Sequence, residues 1–328
     1  MDWQSTLSWH NAKKRAKILQ QIRLFFNERE VVEVETPTLS QGTITDLHLE
    51  ALTCRYNFLS DNASSQSALF YLQTSPEFHM KRLLASGYGC IFQISKAFRH
   101  EEAGSHHNPE FTMLEWYRVG FDHFDLMQEV SALLKTILVC PEPNKVTYQS
   151  LFLDRVNIDP LNTNRVELLA LIEYHQMSSD WLIIDSIDSS NDMLLQFIFS
   201  EIIEPSIGIN APCFVYNFPK SQASLAKLSI TDERVAERFE CYYQGVELVN
   251  GFHELTDSKI QIERFHEDNK NRIAKKLKKM PIDKHFINAL SQGLPPCSGV
   301  ALGVDRLVML ALNTDKIEQV ITFPIERA

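Results

Sequence analysis

The sequence predicts an α+β protein in which helices accompany strands that fold back on themselves as hairpins. Three observations predict it. Residues 91–98, IFQISKAF, and 110–119, EFTMLEWYRV, alternate with period two on either side of a charged stretch, so they form the arms of a long hairpin. Residues 237–252, ERFECYYQGVELVNGF, carry Gln244-Gly245, a two-residue turn that folds the run into a second hairpin. Residues 11–30 space Ile18, Leu19, Ile22, Phe25 and Phe26 as a helix does.

The remaining elements follow in order. VVEVETP continues the first helix into a β-rich run that Pro37 stops. TSPEFHMKRLLASG reads as a capped helix, with Thr74 and Glu77 as a capping box, Pro76 in the first turn and Gly87 at the stop. Residues 145–210 alternate helix-like patches and polar turns without a chemical motif and read as an insertion in a single domain spanning 1–328. PCFVYNFP (212–219) is a strand, and 262–280 is a charged helix with a solvated face. CSGVALGVDRLVML (297–310) runs from a glycine-containing strand into an apolar helix.

Composition bounds the function. With 328 residues, 44% of them apolar and 23% charged, the chain folds around a sizeable core. A formal charge of −10 argues against broad non-specific binding to nucleic acid. No apolar run approaches the roughly 18 residues of a membrane span, and the N-terminus lacks the apolar core of a secretion signal. The six cysteines are dispersed with no CxxC pair, which suits reduced thiols and a cytoplasmic location.

Chemistry concentrates in three places. Residues 98–118, FRHEEAGSHHNPEFTMLEWYR, set charges at strand ends and in a loop, where a ligand can be held over a sheet. Zinc on His100, His106 and His107 competes with a phosphate cradle, but their spacing misses the usual ligand pairs and no cysteine lies nearby. In the second hairpin Tyr242 opposes Glu247, and Glu240 lies two residues along on the same face, a pair that suits Mg²⁺. An exposed pair repelling mildly is the alternative. Asn250 falls on the opposite face unless a bulge intervenes, which Gly251 permits. In the last motif Gly299 and Gly303 allow close approach to a ligand. Arg306 opposes the dipole of the helix it begins, a conflict that a bound phosphate reconciles.

Together these motifs resemble the class II aminoacyl-tRNA synthetase catalytic domain, subclass IIb, and the lysyl-tRNA synthetases above all. The first helix with VVEVETP resembles motif 1, FRHEEAGSHHNPEFTMLEWY motif 2 and GVALGVDR motif 3. The likeness runs from about residue 11 to the end and is poor over 145–210. It implies an antiparallel sheet flanked by helices, ATP bound in a bent form and a homodimer built partly on motif 1. It also implies roles. Arg99 grips the α-phosphate and the substrate carboxylate. Glu101 and Asn108 contact adenosine, Phe111 stacks on adenine, and His107 lies near the outer phosphates. Arg306 meets the nucleotide's other side, with His100, Leu248 and Gly303 in the same ATP site. Glu240 and Glu247 hold Mg²⁺. Ser75, Pro76 and Glu77 meet one substrate amine, Glu254 and Tyr117 the side-chain amine, and Asn250 the carboxylate.

Lysyl-tRNA synthetases carry an anticodon-binding domain before motif 1, for which this sequence leaves no residues. The chain is similar to their truncated paralogues, which attach (R)-β-lysine to a lysine of translation elongation factor P. The likeness thus implies a protein acceptor and not tRNA. One departure supports altered substrate choice: Ala301 stands at the central glycine of G-x-G-x-G in motif 3. The alternatives are a truncated enzyme that activates α-lysine and a non-catalytic regulatory relative. The latter class often loses the motif arginines or the metal carboxylates, all present here.

Overall fold

The computed structural model describes residues 3–47, 49–58, 66–100, 104–177 and 190–328, which form two compact units. The first is built from the chain up to Asp122, from Thr136–Leu138 and from Glu254–Ala328; the second is built from His123–Lys135 and Val139–His253.

In the first unit, helix α1 (Trp9–Asn27) starts where the Ser8 hydroxyl accepts the Asn11 N–H, and it buries Ile18, Ile22, Phe25 and Phe26. The Phe26 ring stacks on Phe92 at 4.5 Å and meets the edge of Trp116 at 5.2 Å. Burying a phenylalanine side chain in this way contributes about 1.5–3 kcal/mol. The VVEVETP run yields only a two-residue strand, β1 (Val32–Glu33). Strands β2 (Leu39–Ser40), β3 (Thr53–Phe58) and β4 (Gln66–Leu72) make a small sheet in the order β2-β4-β3.

Helix α2 (Glu77–Ala85) departs from expectation at its start: no capping box forms. Pro76 is the cap residue, and the Ser75 hydroxyl, not Thr74, accepts the Glu77 N–H at 3.0 Å. Glu77 turns instead to Lys81, because a buried ammonium is a stronger partner for a carboxylate than a backbone amide. Gly87, at φ +90°, ends the helix as the sequence indicates. Strands β5 (Ile91–Phe98) and β6 (Glu110–Val119) then form the long hairpin in antiparallel register, Ile94 opposite Leu114. Residues 112–117 of β6 are all buried, so both of its faces are covered.

The second unit contains α3 (His123–Leu138, all but its last turn), β7 (Asn144–Thr147), α4 (Tyr148–Val156), α5 (Arg165–Tyr174), α6 (Asn191–Ile198), β8 (Cys213–Pro219), β9 (Val235–Tyr243) and β10 (Val246–His253). Tyr148, Phe152, Leu194, Ile198 and Phe199 share one core with Val215, Phe218 and Tyr242, so the 145–210 region packs on strands β8 and β9. Its four strands run in the order β10-β9-β8-β7. Gln244 at φ +51° and Gly245 at φ +74° make the tight hairpin turn that the dipeptide indicates.

The chain returns to the first unit with α7 (Ser258–Ala274), α8 (Lys284–Gly293), β11 (Cys297–Gly303) and α9 (Val304–Leu312). Helix α7 stops six residues short of the expected 280, with Lys276 at φ +58° just beyond. Phe78 of α2 stacks on Phe286 of α8 at 4.4 Å. The first unit's large-sheet strands run β1-β5-β6-β11. The β1–β5 and β7–β8 pairs are parallel, so the strand pairing is mixed and not wholly antiparallel. Among the described residues no helix is long and apolar enough to cross a membrane.

Candidate active site

The first unit holds a cluster of buried charge. Lys81 projects from α2 one turn after Glu77; its Nζ lies 2.6 Å from Glu77 Oε1 and in contact with Glu254 Oε2. Glu115, on β6, accepts from the Ser75 hydroxyl and from the Tyr117 hydroxyl, each at 2.6 Å. Lys81 and Glu254 are each 1% exposed and Glu115 2%. Among the described side chains that meet here, three are carboxylates and one is an ammonium.

Burial disfavours a charged Lys81, but Glu254 and Glu77 outweigh it and hold its pKa above the usual lysine value. Burial and the nearby charge of Glu77 push the Glu115 carboxyl up to about 7, against the hydrogen bonds from Ser75 and Tyr117. Burial raises the Tyr117 hydroxyl too, followed by the negative charge of Glu115. Gly299 pairs with Tyr117 across β11–β6. A Cβ there would come 2.3 Å from the Tyr117 ring and 2.4 Å from Glu254 Oε1. The glycine makes room for this cluster, and its close approach is to side chains.

The expected amine-binding trio of Glu77, Tyr117 and Glu254 therefore does converge, with two corrections. Lys81 sits between the two acids, and the Tyr117 hydroxyl serves Glu115. Sequence reasoning missed Lys81 and Glu115, although each left a signal. Lys81 follows Met80 on a helix face that buries Met80 and Leu84. Glu115 shares a strand face with Met113 and Tyr117, where a solvated acid is out of place. Ala301 pairs with Glu115 across the same strands.

The motif-2 loop and the start of α9 form a second group. The Arg99 guanidinium lies over the Phe111 ring, 5.1 Å from its centre. Gly104 and His107 exchange backbone hydrogen bonds that pinch the loop. The His107 Nε2 and Arg306 Nη2 meet at 2.5 Å, and Arg306 Nε donates to the His106 carbonyl at 3.4 Å. Arg306 folds its stem over Gly303. Asp305, missed from sequence, is 2% exposed, accepts from the Thr112 N–H at 2.7 Å and forms an ion pair with Arg15 at 2.6 Å, fixing the turn that carries Arg306.

One expected nucleotide contact, Asn108, is engaged by the protein itself. Asn108 is 6% exposed, donates to the Glu110 carbonyl and accepts the Ile325 N–H, so its amide organises the loop. His100 is exposed, and Glu101 lies outside the described residues. His100, His106 and His107 do not form a metal-ligand group among the described residues.

In the second unit Glu240 is 7% exposed. It accepts from Arg238 at 2.5 Å, from the Tyr242 hydroxyl and from Asn250 Nδ2 at 3.1 Å. Glu247 is half-buried and opposite Tyr242, as the hairpin turn requires. The bulge that brings Asn250 to this face exists, but it falls between Glu247 and Val249 and not at Gly251. Leu248 is the extra residue, and its side chain is 2% exposed, so its burial selects the position. Asn250 Oδ1 is buried without a hydrogen-bond partner.

These motifs can be set beside known proteins. The sequence profile of the family "tRNA synthetases class II (D, K and N)" matches residues 1–327. A Vibrio cholerae protein named elongation factor P--(R)-beta-lysine ligase is 52% identical over 327 residues, 100% of this chain and 99% of its own length. Proteins of the same name from Vibrio parahaemolyticus and Yersinia enterocolitica are each 51% identical, covering 98% and 99% of this chain and 98% of their own lengths. With its three ordered motifs and a match over nearly its full length, the chain belongs to the class II tRNA synthetase family of the D, K and N group.

Proposed function

We propose that this chain is an ATP-dependent ligase that activates (R)-β-lysine as an adenylate and transfers the β-lysyl group to a lysine side chain of translation elongation factor P. The observation that carries the reading is the buried cluster of Glu77, Glu254 and Glu115 around the single ammonium of Lys81. Its surplus of acid suits a substrate that brings ammonium groups into a desolvated pocket. The names of the full-length relatives support β-lysine and the protein acceptor.

Activation proceeds by attack of the substrate carboxylate on the α-phosphorus, with the bond to the bridging oxygen breaking and pyrophosphate leaving. Arg99 offers a planar fork to both anions, and Arg306 with His107 binds the phosphates. Arg99 lies over the ring of Phe111, the ring on which adenine stacks. Ser75 and Pro76 shape the entrance of the amine pocket beside Glu77, and the second N–H of Asn250 holds the carboxylate. The acceptor's neutral lysine amine then attacks the adenylate carbonyl, an amide forms, the amine gives up one proton to solvent and AMP leaves. Positioning and charge neutralisation supply the rate.

A carboxylate offers about four lone-pair sites, and protein donors occupy three on Glu240. The fourth, together with Glu247, fits Mg²⁺, which takes one or two carboxylates plus phosphates. When bound, the ion neutralises phosphate charge. Trp9, Leu24 and Val32, exposed at 76%, 52% and 60%, support a homodimer through the motif-1 segment. The dispersed thiols suit the cytoplasm.

Intact-mass measurement of elongation factor P after incubation with enzyme, ATP and (R)-β-lysine tests the reading. A mass gain of one lysyl group is expected; an unmodified acceptor together with charged tRNA would overturn it. Arg99→Lys should slow ATP–pyrophosphate exchange at least about tenfold, roughly 1.4 kcal/mol of transition-state stabilisation; a loss under about twofold removes Arg99 from the reacting phosphate. Glu247→Gln keeps the shape but loses the charge and should abolish exchange with the fold intact. Near-normal exchange in that variant would remove the paired-carboxylate assignment.

A further inference from the structure

Among the described residues the loop histidines form no ligand group, but another trio does: His123, Glu237 and His253, all in the second unit. His123 begins α3, Glu237 lies on β9 and His253 ends β10. Phe252 pairs with Arg238 across the hairpin, so the next step places His253 Nδ1 2.6 Å from Glu237 Oε2. His123 Nδ1 is 4.0 Å from the same oxygen. One ligand atom from each residue lies within 4.8 Å of the other two. His123 is 5% exposed, and the side chains of Glu237 and His253 are 13% and 16% exposed. Strand alternation aims Glu237 away from the face of β9 that carries Arg238, Glu240 and Tyr242. The trio is thus separate from the Glu240–Glu247 pair.

We propose that His123, Glu237 and His253 bind a divalent transition metal of the Zn²⁺ class. Two imidazoles and one carboxylate suit Zn²⁺, whereas Mg²⁺ and Ca²⁺ take oxygen ligands. Zinc bonds of about 2.0–2.1 Å set tetrahedral ligand atoms roughly 3.3 Å apart, so the trio closes on an ion with shifts of about 1 Å. The ion takes the place of the proton between His253 Nδ1 and Glu237, and the neutral imidazole then carries its proton on Nε2. Three protein ligands leave the fourth position to water. Binding ties the first turn of α3 to the open end of the β9–β10 hairpin. The competing reading is a hydrogen-bonded His253–Glu237 pair with a second imidazole beside it.

The test is calorimetric titration of the chelator-treated full-length protein with ZnCl₂. One equivalent should bind, at least tenfold more weakly in Glu237→Gln and not at all in the His123→Gln/His253→Gln double variant. Substitution with Co²⁺ should give tetrahedral d–d absorption without the sulfur-to-metal band of a thiolate ligand. Absence of stoichiometric binding, equal affinity in the variants or a thiolate band would each overturn the site. If the double variant does not fold, Glu237→Gln decides alone: an affinity within twofold of the parent overturns the proposal.

Discussion

Two buried carboxylate clusters, one in each unit, are neutralised in opposite ways. In the second unit Glu240 receives Arg238, Tyr242 and Asn250, three donors for one acid. In the first unit Glu77, Glu254 and Glu115 gather about Lys81, three acids for one cation. The first arrangement is nearly saturated and fixes a geometry. In the second, burial raises the carboxyls of Glu254 and Glu115 above the ordinary carboxylate range, and the acids compete for one ammonium. A saturated acid fixes a geometry, whereas acids that outnumber their cation suit the amine-binding role proposed above.

The largest effect that can break this comparison comes from removing each cation. Lys81→Met leaves buried carboxylates facing one another and should cost about 3–5 kcal/mol, a fall in Tm of roughly 10 °C. Arg238→Met leaves Glu240 two donors and should cost only about 1–2 kcal/mol. Thermal unfolding of both variants decides. Equal losses would mean that the two clusters do not differ in the way described.

A smaller effect concerns protons. The Glu115 carboxyl titrates near 7 in the folded chain, above its unfolded value of about 4.3. Between those values the folded state holds one proton more. The stability contributed is therefore fully present below the unfolded pKa and is lost as pH rises through about 7. The slope from this group is on the order of 1.4 kcal/mol per pH unit across that window. Urea midpoints at acidic and mildly alkaline pH should fall further for the parent than for Glu115→Gln. Parallel curves would show that Glu115 carries no excess proton.

The smallest effect sharpens where selectivity lies. Ala301 is paired with Glu115, so its methyl belongs to the acid-rich cluster. Ala301→Gly should raise exchange with α-lysine relative to β-lysine by about tenfold, near 1.4 kcal/mol. An unchanged ratio would make Ala301 a packing residue and move substrate choice elsewhere.

What could be read from sequence was local. The alternation of 91–98 and 110–119 and the Gln244-Gly245 turn fixed two hairpins, because period and turn chemistry are set by neighbouring residues. Arg306 and Gly303 were legible for the same reason. Lys81 was not, since its burial depends on Glu254, which lies far along the chain. The capping box failed through that same lysine: Lys81, one turn on and paired with distant Glu254, drew Glu77 away from the backbone amide. The bulge was expected at the most permissive residue, Gly251, but packing of Leu248 chose its place. His123, Glu237 and His253 carry no motif spacing, and only the fold makes them neighbours.

The extra residue at Leu248 works as a parity switch. Ahead of it Glu247 opposes Tyr242; after it Asn250 opposes Glu240 and Phe252 opposes Arg238. Had the ladder run without interruption, every side chain from 249 onward would have exchanged the sheet's two faces, as a one-residue slip always does. Asn250 would lose Glu240, and His253 would leave Glu237. The Asn250–Glu240 and His253–Glu237 contacts, one on each side of the sheet, are thus held in phase by a single hydrophobic residue. Pairing Leu248 into the ladder would unmake both at once, whereas removing it would leave every pairing from 249 onward as it is.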